Sequence, residues 1–206
     1  MPIGPGGYAH PQGTTSADVR RRSPRSGCSL PACVSRRADT THLDGAAKAA
    51  ATAILINSGQ VCSATTRLLV ERSVQDELVR RIGAILESRQ PAQDFGPIIT
   101  APQFDKVLAM LDTARQEGAH VAVGGHTYEE GVPERGLYVQ PTVLTEVKPD
   151  MQAAREEFFG PVLVAMPFDT ADEAVTLAND AERKERARIR SEKGIRWGGR
   201  PLKTAA

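Results

Sequence analysis

Cys62 lies in the stretch NSGQVCSATTR, immediately after Gly59, Gln60 and Val61, and is the side chain best suited to covalent chemistry. A glycine just upstream lets the backbone turn closely, and backbone N–H groups in such a turn can donate to a developing oxyanion. No histidine lies nearby as a base, because His42, His120 and His126 are scattered. On spacing alone a buried structural cysteine is the competing reading. A second stretch, EEFFGPV, sets two carboxylates before two phenylalanines and a Gly-Pro turn. A carboxylate can accept hydrogen bonds from a ribose diol, and an aromatic ring can pack on a flat heterocycle. An exposed acidic helix end followed by core phenylalanines fits the same residues. Neither GxGxxG nor a phosphate-loop pattern occurs, and Cys28 and Cys33 lack companion ligands for a metal.

The elements that must position these residues occupy the middle of the chain. LDGAAKAAATAILI suits a buried helix and TTRLLVE a short strand. In SVQDELVRRIGAIL, Val74, Leu78, Ile82 and Ile85 share one helical face, with Ser73 placed to cap its start. Thr100 and Gln103 make a capping box for a helix whose stripe is Phe104, Val107, Leu108 and Leu111, and Gly118 stops it. AHVAVGG reads as a short buried strand, LYVQPTVL and VLVAMPF as further strands, and TADEAVTLANDA as a helix with Thr170 and Glu173 as its capping box. Helices alternating with short apolar strands predict an α/β domain with a substantially parallel sheet and helices on its faces.

Charge divides the chain into three. Residues 1–41 carry six Lys/Arg against two Asp/Glu (+4), residues 182–206 nine against three (+6), and the remainder eleven against twenty (−9), which sum to the net +1. The expected organisation is a disordered basic segment over 1–41, one domain over 42–182 and a basic tail over 183–206. The abrupt charge changes suggest flanks foreign to the middle. Arg20 to Arg22 with Arg25 could touch phosphates, but a solvated tail is the default reading and nucleic acid is not an expected partner. No apolar run approaches a membrane span and the N-terminus has no apolar signal core. Three dispersed cysteines argue against a disulfide framework and for a reducing compartment, with the cytoplasm as the expected location.

NSGQVCSATTRLLV resembles the active-site cysteine segment of the aldehyde dehydrogenase superfamily, and REEFFGPVL resembles that family's downstream E-E-x-F-G-P-V motif. FGPIIT, QEGAHVAVGG and LYVQPTVL fall between them in the family's order, so the likeness spans residues 43–182. The resemblance implies a partial aldehyde dehydrogenase catalytic domain. It makes Cys62 the nucleophile, Glu157 the carboxylate that holds the nicotinamide ribose, and Phe159 the aromatic packed near the nicotinamide. The implied reaction oxidises a small aldehyde to a carboxylic acid through a thioester on Cys62, with NAD or NADP as hydride acceptor.

Three family parts have no counterpart in this sequence: the Rossmann-type dinucleotide-binding domain, the E-L-G-G glutamate used in thioester hydrolysis, and the oxyanion-hole asparagine. The implied consequence is impaired activity of the chain by itself, with no measurable binding in an NAD or NADP titration. Completion by a complementing chain, or a homo-oligomer, is then expected. The alternative is a catalytically silent fragment or pseudoenzyme with at most an association role.

Overall fold

A computed structural model of the chain describes residues 32–35, 40–62, 64–128, 130–133 and 136–178. Its elements are β1 (Ala32–Ser35), α1 (Thr40–Leu55), β2 (Arg67–Glu71), α2 (Gln75–Glu87), α3 (Ala101–Gln116), β3 (His120–Val123), β4 (Thr142–Thr145), α4 (Gln152–Arg155), β5 (Val162–Phe168) and a helix α5 over 171–178. They form one five-stranded sheet in the order β1-β2-β5-β4-β3. The pairs β1–β2, β2–β5 and β5–β4 are parallel, and only the edge pair β3–β4 is antiparallel. The α/β reading with a substantially parallel sheet therefore holds.

Burial on both faces explains why the central strands read as almost continuous apolar runs. Side chains alternate across a strand, so Leu68 and Val70 of β2, Leu163 and Ala165 of β5 and Val143 of β4 meet α1 and α2. Leu69, Val162, Val164, Met166, Phe168 and Leu144 point the other way, toward α3 and α5. The predicted stripes do the covering: Leu78 and Ile82 are fully buried under α2, and Val107 and Leu111 under α3. Truncating one such leucine to alanine costs about 2–5 kcal/mol, through lost transfer energy and the cavity left behind.

Three local readings are corrected. Ser73 does not cap α2, which begins after a single 3-10 turn over Arg72–Val74 and has no side-chain cap; the Ser73 hydroxyl donates to the Glu71 carboxylate instead. The strand in AHVAVGG is a half-buried edge, since β3 pairs with β4 alone in the sheet and its Val121, Ala122 and Val123 are only partly buried against the two cores. Residues 1–41 are not wholly unstructured: Ala32–Ser35 extend the sheet beside β2, and α1 already starts at Thr40. The basic cluster Arg20 to Arg25 and the tail 183–206 lie outside the described residues. No helix among the described residues is long and apolar enough to cross a membrane.

A surface clasp ties α1 to α2. Glu77 accepts from Arg80 and Arg81, and Arg81 also donates to Asp44 of α1 at 2.6 Å. The hydrogen bonds from Arg80 and Arg81 hold the Glu77 carboxyl down from an ordinary 4.5 to about 2. A depressed folded-state value means that the clasp's contribution is complete above the ordinary glutamate range and fades as pH falls from there toward 2. Glu77→Gln is therefore expected to lower stability modestly at neutral pH, to flatten the acid limb in urea titrations between pH 5 and pH 2, and to converge with the parent at pH 2, the whole effect staying small because the Glu77 side chain is partly exposed. An unchanged acid limb would refute this.

Candidate active site

Cys62 is carried by a loop with an unusual start. α1 runs to Leu55, and the chain then turns through Asn57 (φ 53°), Ser58 (φ 53°) and Gly59 (φ 71°), three consecutive residues in the left-handed region. Only glycine adopts that region freely, and each non-glycine residue there costs about 1–2 kcal/mol. Contacts with residues 96–99 offset the strain. The buried Ser58 hydroxyl donates to the Gly96 carbonyl at 2.5 Å. The Gln60 amide donates to the carbonyls of Asn57 (2.9 Å) and Pro97 (3.2 Å) and accepts from the Ile99 N–H (2.9 Å). Beyond it, Ala64 N–H donates to the Val61 carbonyl at 2.8 Å, so Cys62 sits in a tight turn just ahead of β2. Its thiol is free and exposed, which disposes of the buried structural cysteine.

The EEFFGPV stretch forms the loop from α4 into β5. Glu156 is exposed and extended, Glu157 is half-buried, Phe158 is driven into the core and Phe159 is half-buried at φ 52°. A left-handed phenylalanine separates the two rings: one fills the core while its neighbour is released toward the surface. The first turns of α3 hold this conformation. Gln103 Nε2 donates to the carbonyls of Phe158 (2.8 Å) and Phe159 (3.0 Å), and Lys106 Nζ to that of Glu157 (2.9 Å).

Topology brings the two loops to one end of the sheet. β2 and β5 are adjacent and parallel with Arg67 opposite Val164. Five residues upstream of that pair lie Cys62 on one chain (67 − 5) and Phe159 on the other (164 − 5). Both loops therefore leave the amino-terminal ends of neighbouring strands. They touch through backbone: a Cβ on Gly59 would lie 2.0 Å from the Gly160 carbonyl oxygen, and one on Gly160 would lie 2.7 Å from a Val107 methyl of α3. An open groove of about 690 Å³ is lined by Asn57 at the start of this turn, with Leu55, Ile56, Phe95, Pro97 and Tyr138 among its other walls. Cys62, Glu157 and Phe159 do not line it, so the groove is not the setting of the thiol. Among the described residues no cluster of His, Cys, Asp or Glu could hold a metal ion.

Gln60, Gln103 and Lys106 escape the sequence reading. Gln103 reads as half of a capping box, and the Thr100 hydroxyl does accept from its N–H at 3.4 Å, but its side chain turns away to the EEFFGPV loop. Gln103→Leu is expected to cost about 1–2 kcal/mol, because two loop carbonyls lose their donor. Urea midpoints compared with Thr100→Ala would measure it. Equal stability of Gln103→Leu and the parent would show that those bonds hold nothing.

A sequence profile of the aldehyde dehydrogenase family matches residues 15–196. That span reaches past residues 43–182 on both sides, so the charge changes do not mark where family sequence stops. The fold is similar to betaine aldehyde dehydrogenase of Staphylococcus aureus, solved with NAD+ (TM-score 0.67, 32% identity, 75% of this chain and 31% of that one). It is similar also to an NAD-dependent aldehyde dehydrogenase of Sinorhizobium meliloti (TM-score 0.67, 37% identity, 74% of this chain and 30% of that one). An aldehyde dehydrogenase of Bacillus cereus gives a TM-score of 0.65 at 34% identity over 74% of this chain and 31% of that one. Ordered motifs, shared fold and a profile match over most of the sequence agree: this chain, which spans less than a third of the length of those relatives, belongs to the aldehyde dehydrogenase family.

Proposed function

We propose that the two loops form the thiol side of an aldehyde-oxidising site, with Cys62 as nucleophile and Glu157 and Phe159 as the cofactor-facing pair. The observation that carries this reading is the backbone contact of Gly59 with Gly160, which fastens an exposed thiol's loop to the loop bearing the carboxylate and the ring. The half-buried Glu157 and Phe159 suit a ribose diol and a flat heterocycle, so they fit the nicotinamide end of NAD or NADP. Without a GxGxxG loop, that fit covers only one end of the dinucleotide.

The chain's own part in the chemistry is then defined. The Cys62 thiolate adds to the aldehyde carbonyl carbon, and the displaced π pair becomes an oxyanion to which the Cys62 backbone N–H donates. When bound, the oxidised nicotinamide supplies the two-electron acceptor that makes the adduct a thioester. Water then cleaves the sulfur–acyl bond, releasing a carboxylic acid and restoring the thiol. Glu157 and Phe159 orient, and do not exchange protons with the substrate. A free thiol and dispersed cysteines suit a reducing compartment such as the cytoplasm. Ile56 and Ile99, exposed on the segments that the Gln60 amide joins, favour association with a further chain or a second copy.

Alkylation with iodoacetamide, read site by site by mass spectrometry, tests the proposal. Cys62 should react faster than Cys28 and Cys33, and a small aldehyde should protect it saturably by forming a hemithioacetal. A Cys62 no faster than the other two, or indifferent to aldehyde, would overturn it.

A further inference from the structure

Gln60 stands two residues before the thiol and makes three hydrogen bonds to two separate segments. An ordinary surface amide in a turn bonds its own turn or water. Here one bond closes the strained turn onto Asn57, while the other two pair the amide with Pro97 and Ile99 much as one strand pairs with another. The Gln60 backbone lies in neither the helical nor the extended region (φ −84°, ψ 53°), so the direction in which Val61 and Cys62 leave it is set at this residue. Ser58 adds a third tie between the turn and the 96–99 segment through Gly96. The following turn, closed between Val61 and Ala64, can aim its N–H groups only as well as its first residue is fixed.

We infer that the Gln60 side chain is a positioning residue for the Cys62 sulfur. By locking residues 57–60 to residues 97–99, it fixes the turn whose backbone N–H groups stabilise the thiolate and the oxyanion. The inference rests on the reading of Cys62 as the nucleophile. Oriented N–H donors favour the charged form of a nearby thiol, so a loosened turn should raise the pH at which Cys62 becomes reactive. A role confined to holding the fold together would leave that midpoint where it is.

The test is the pH profile of Cys62 alkylation by iodoacetamide in the full chain, with Cys28 and Cys33 as internal references. In Gln60→Ala the rate at neutral pH should fall about tenfold, as small misplacements of reacting groups do, and the midpoint should move up, while Cys28 and Cys33 keep their rates. Gln60→Glu keeps the length and the oxygen that accepts from Ile99 but loses both N–H donors, so about a threefold loss is expected. Should Gln60→Ala not fold, Gln60→Glu carries the test. A parent Cys62 no faster than Cys28 and Cys33 would defeat the reading of the nucleophile itself. With a fast parent Cys62, folded variants that keep both rate and midpoint, or that slow equally at every pH with no shift, would overturn the role of Gln60.

Discussion

Cys62→Ser is expected to lower the acylation of this chain by an activated ester such as p-nitrophenyl acetate by at least about a hundredfold. An ester carbonyl already carries its leaving group, so sulfur attack expels nitrophenolate and leaves the acyl group on Cys62 with no hydride to remove. The experiment therefore isolates the nucleophile from the cofactor and from any further chain. A thiol at neutral pH is a few per cent thiolate and intrinsically strongly nucleophilic, whereas a serine hydroxyl with no adjacent base is neither ionised nor activated. The parent should release close to one nitrophenolate per chain in the fast phase, with the acyl group found by mass on the peptide containing Cys62. Equal nitrophenolate release from Cys62→Ser, or acyl groups distributed over Cys28 and Cys33, would show that this sulfur is unremarkable.

The sequence discloses that sulfur more readily than its supports. β2 and β5 are legible because burial on both faces makes RLLVE and VLVAMPF apolar runs, and α2 and α3 because their stripes repeat at helical spacing. The Thr170–Glu173 box is legible too: Glu173 N–H donates to the Thr170 hydroxyl at 3.2 Å, and its carboxylate accepts from Asp169 N–H at 2.8 Å. Ser73 misleads because a 3-10 turn displaces the helix start, a choice settled by packing of Val74. β1 is hidden for a different reason: ACVS is too short, between Pro31 and the Arg36–Arg37 pair, to announce a strand, and pairing with β2 makes it one. At the site, Cys62 and EEFFGPV stand out by residue type. Their clamps do not, because Gln60 reaches 37 and 39 residues along the chain, Lys106 51 residues, and Gln103 55 and 56. Local pattern carries no information about such partners.

Gly59→Ala should be among the most damaging substitutions open to this chain, although it adds one methyl group. Two costs combine. The residue sits at φ +71°, where a Cβ meets its own backbone. That Cβ would also lie 2.0 Å from the Gly160 oxygen and 2.5 Å from the Gly160 carbonyl carbon, which are backbone atoms anchored by β5 on one side and by the Gln103 bonds on the other. Gly118→Ala separates the two contributions. Gly118 also has a left-handed φ, +97°, at the end of α3, but nothing lies within 4 Å of its would-be Cβ. Gly118→Ala should thus show the conformational cost alone, about 1 kcal/mol. Gly59→Ala should exceed it by about 2 kcal/mol or more, because overpacking against fixed backbone is relieved only by moving one loop away from the other. The same displacement would part the thiol loop from Phe159, so Cys62 alkylation should slow in Gly59→Ala and stay at the parent rate in Gly118→Ala. If the two alanine variants unfold at the same urea concentration, the contact between the loops is looser than the structure has it, and the shared site loses its mechanical basis.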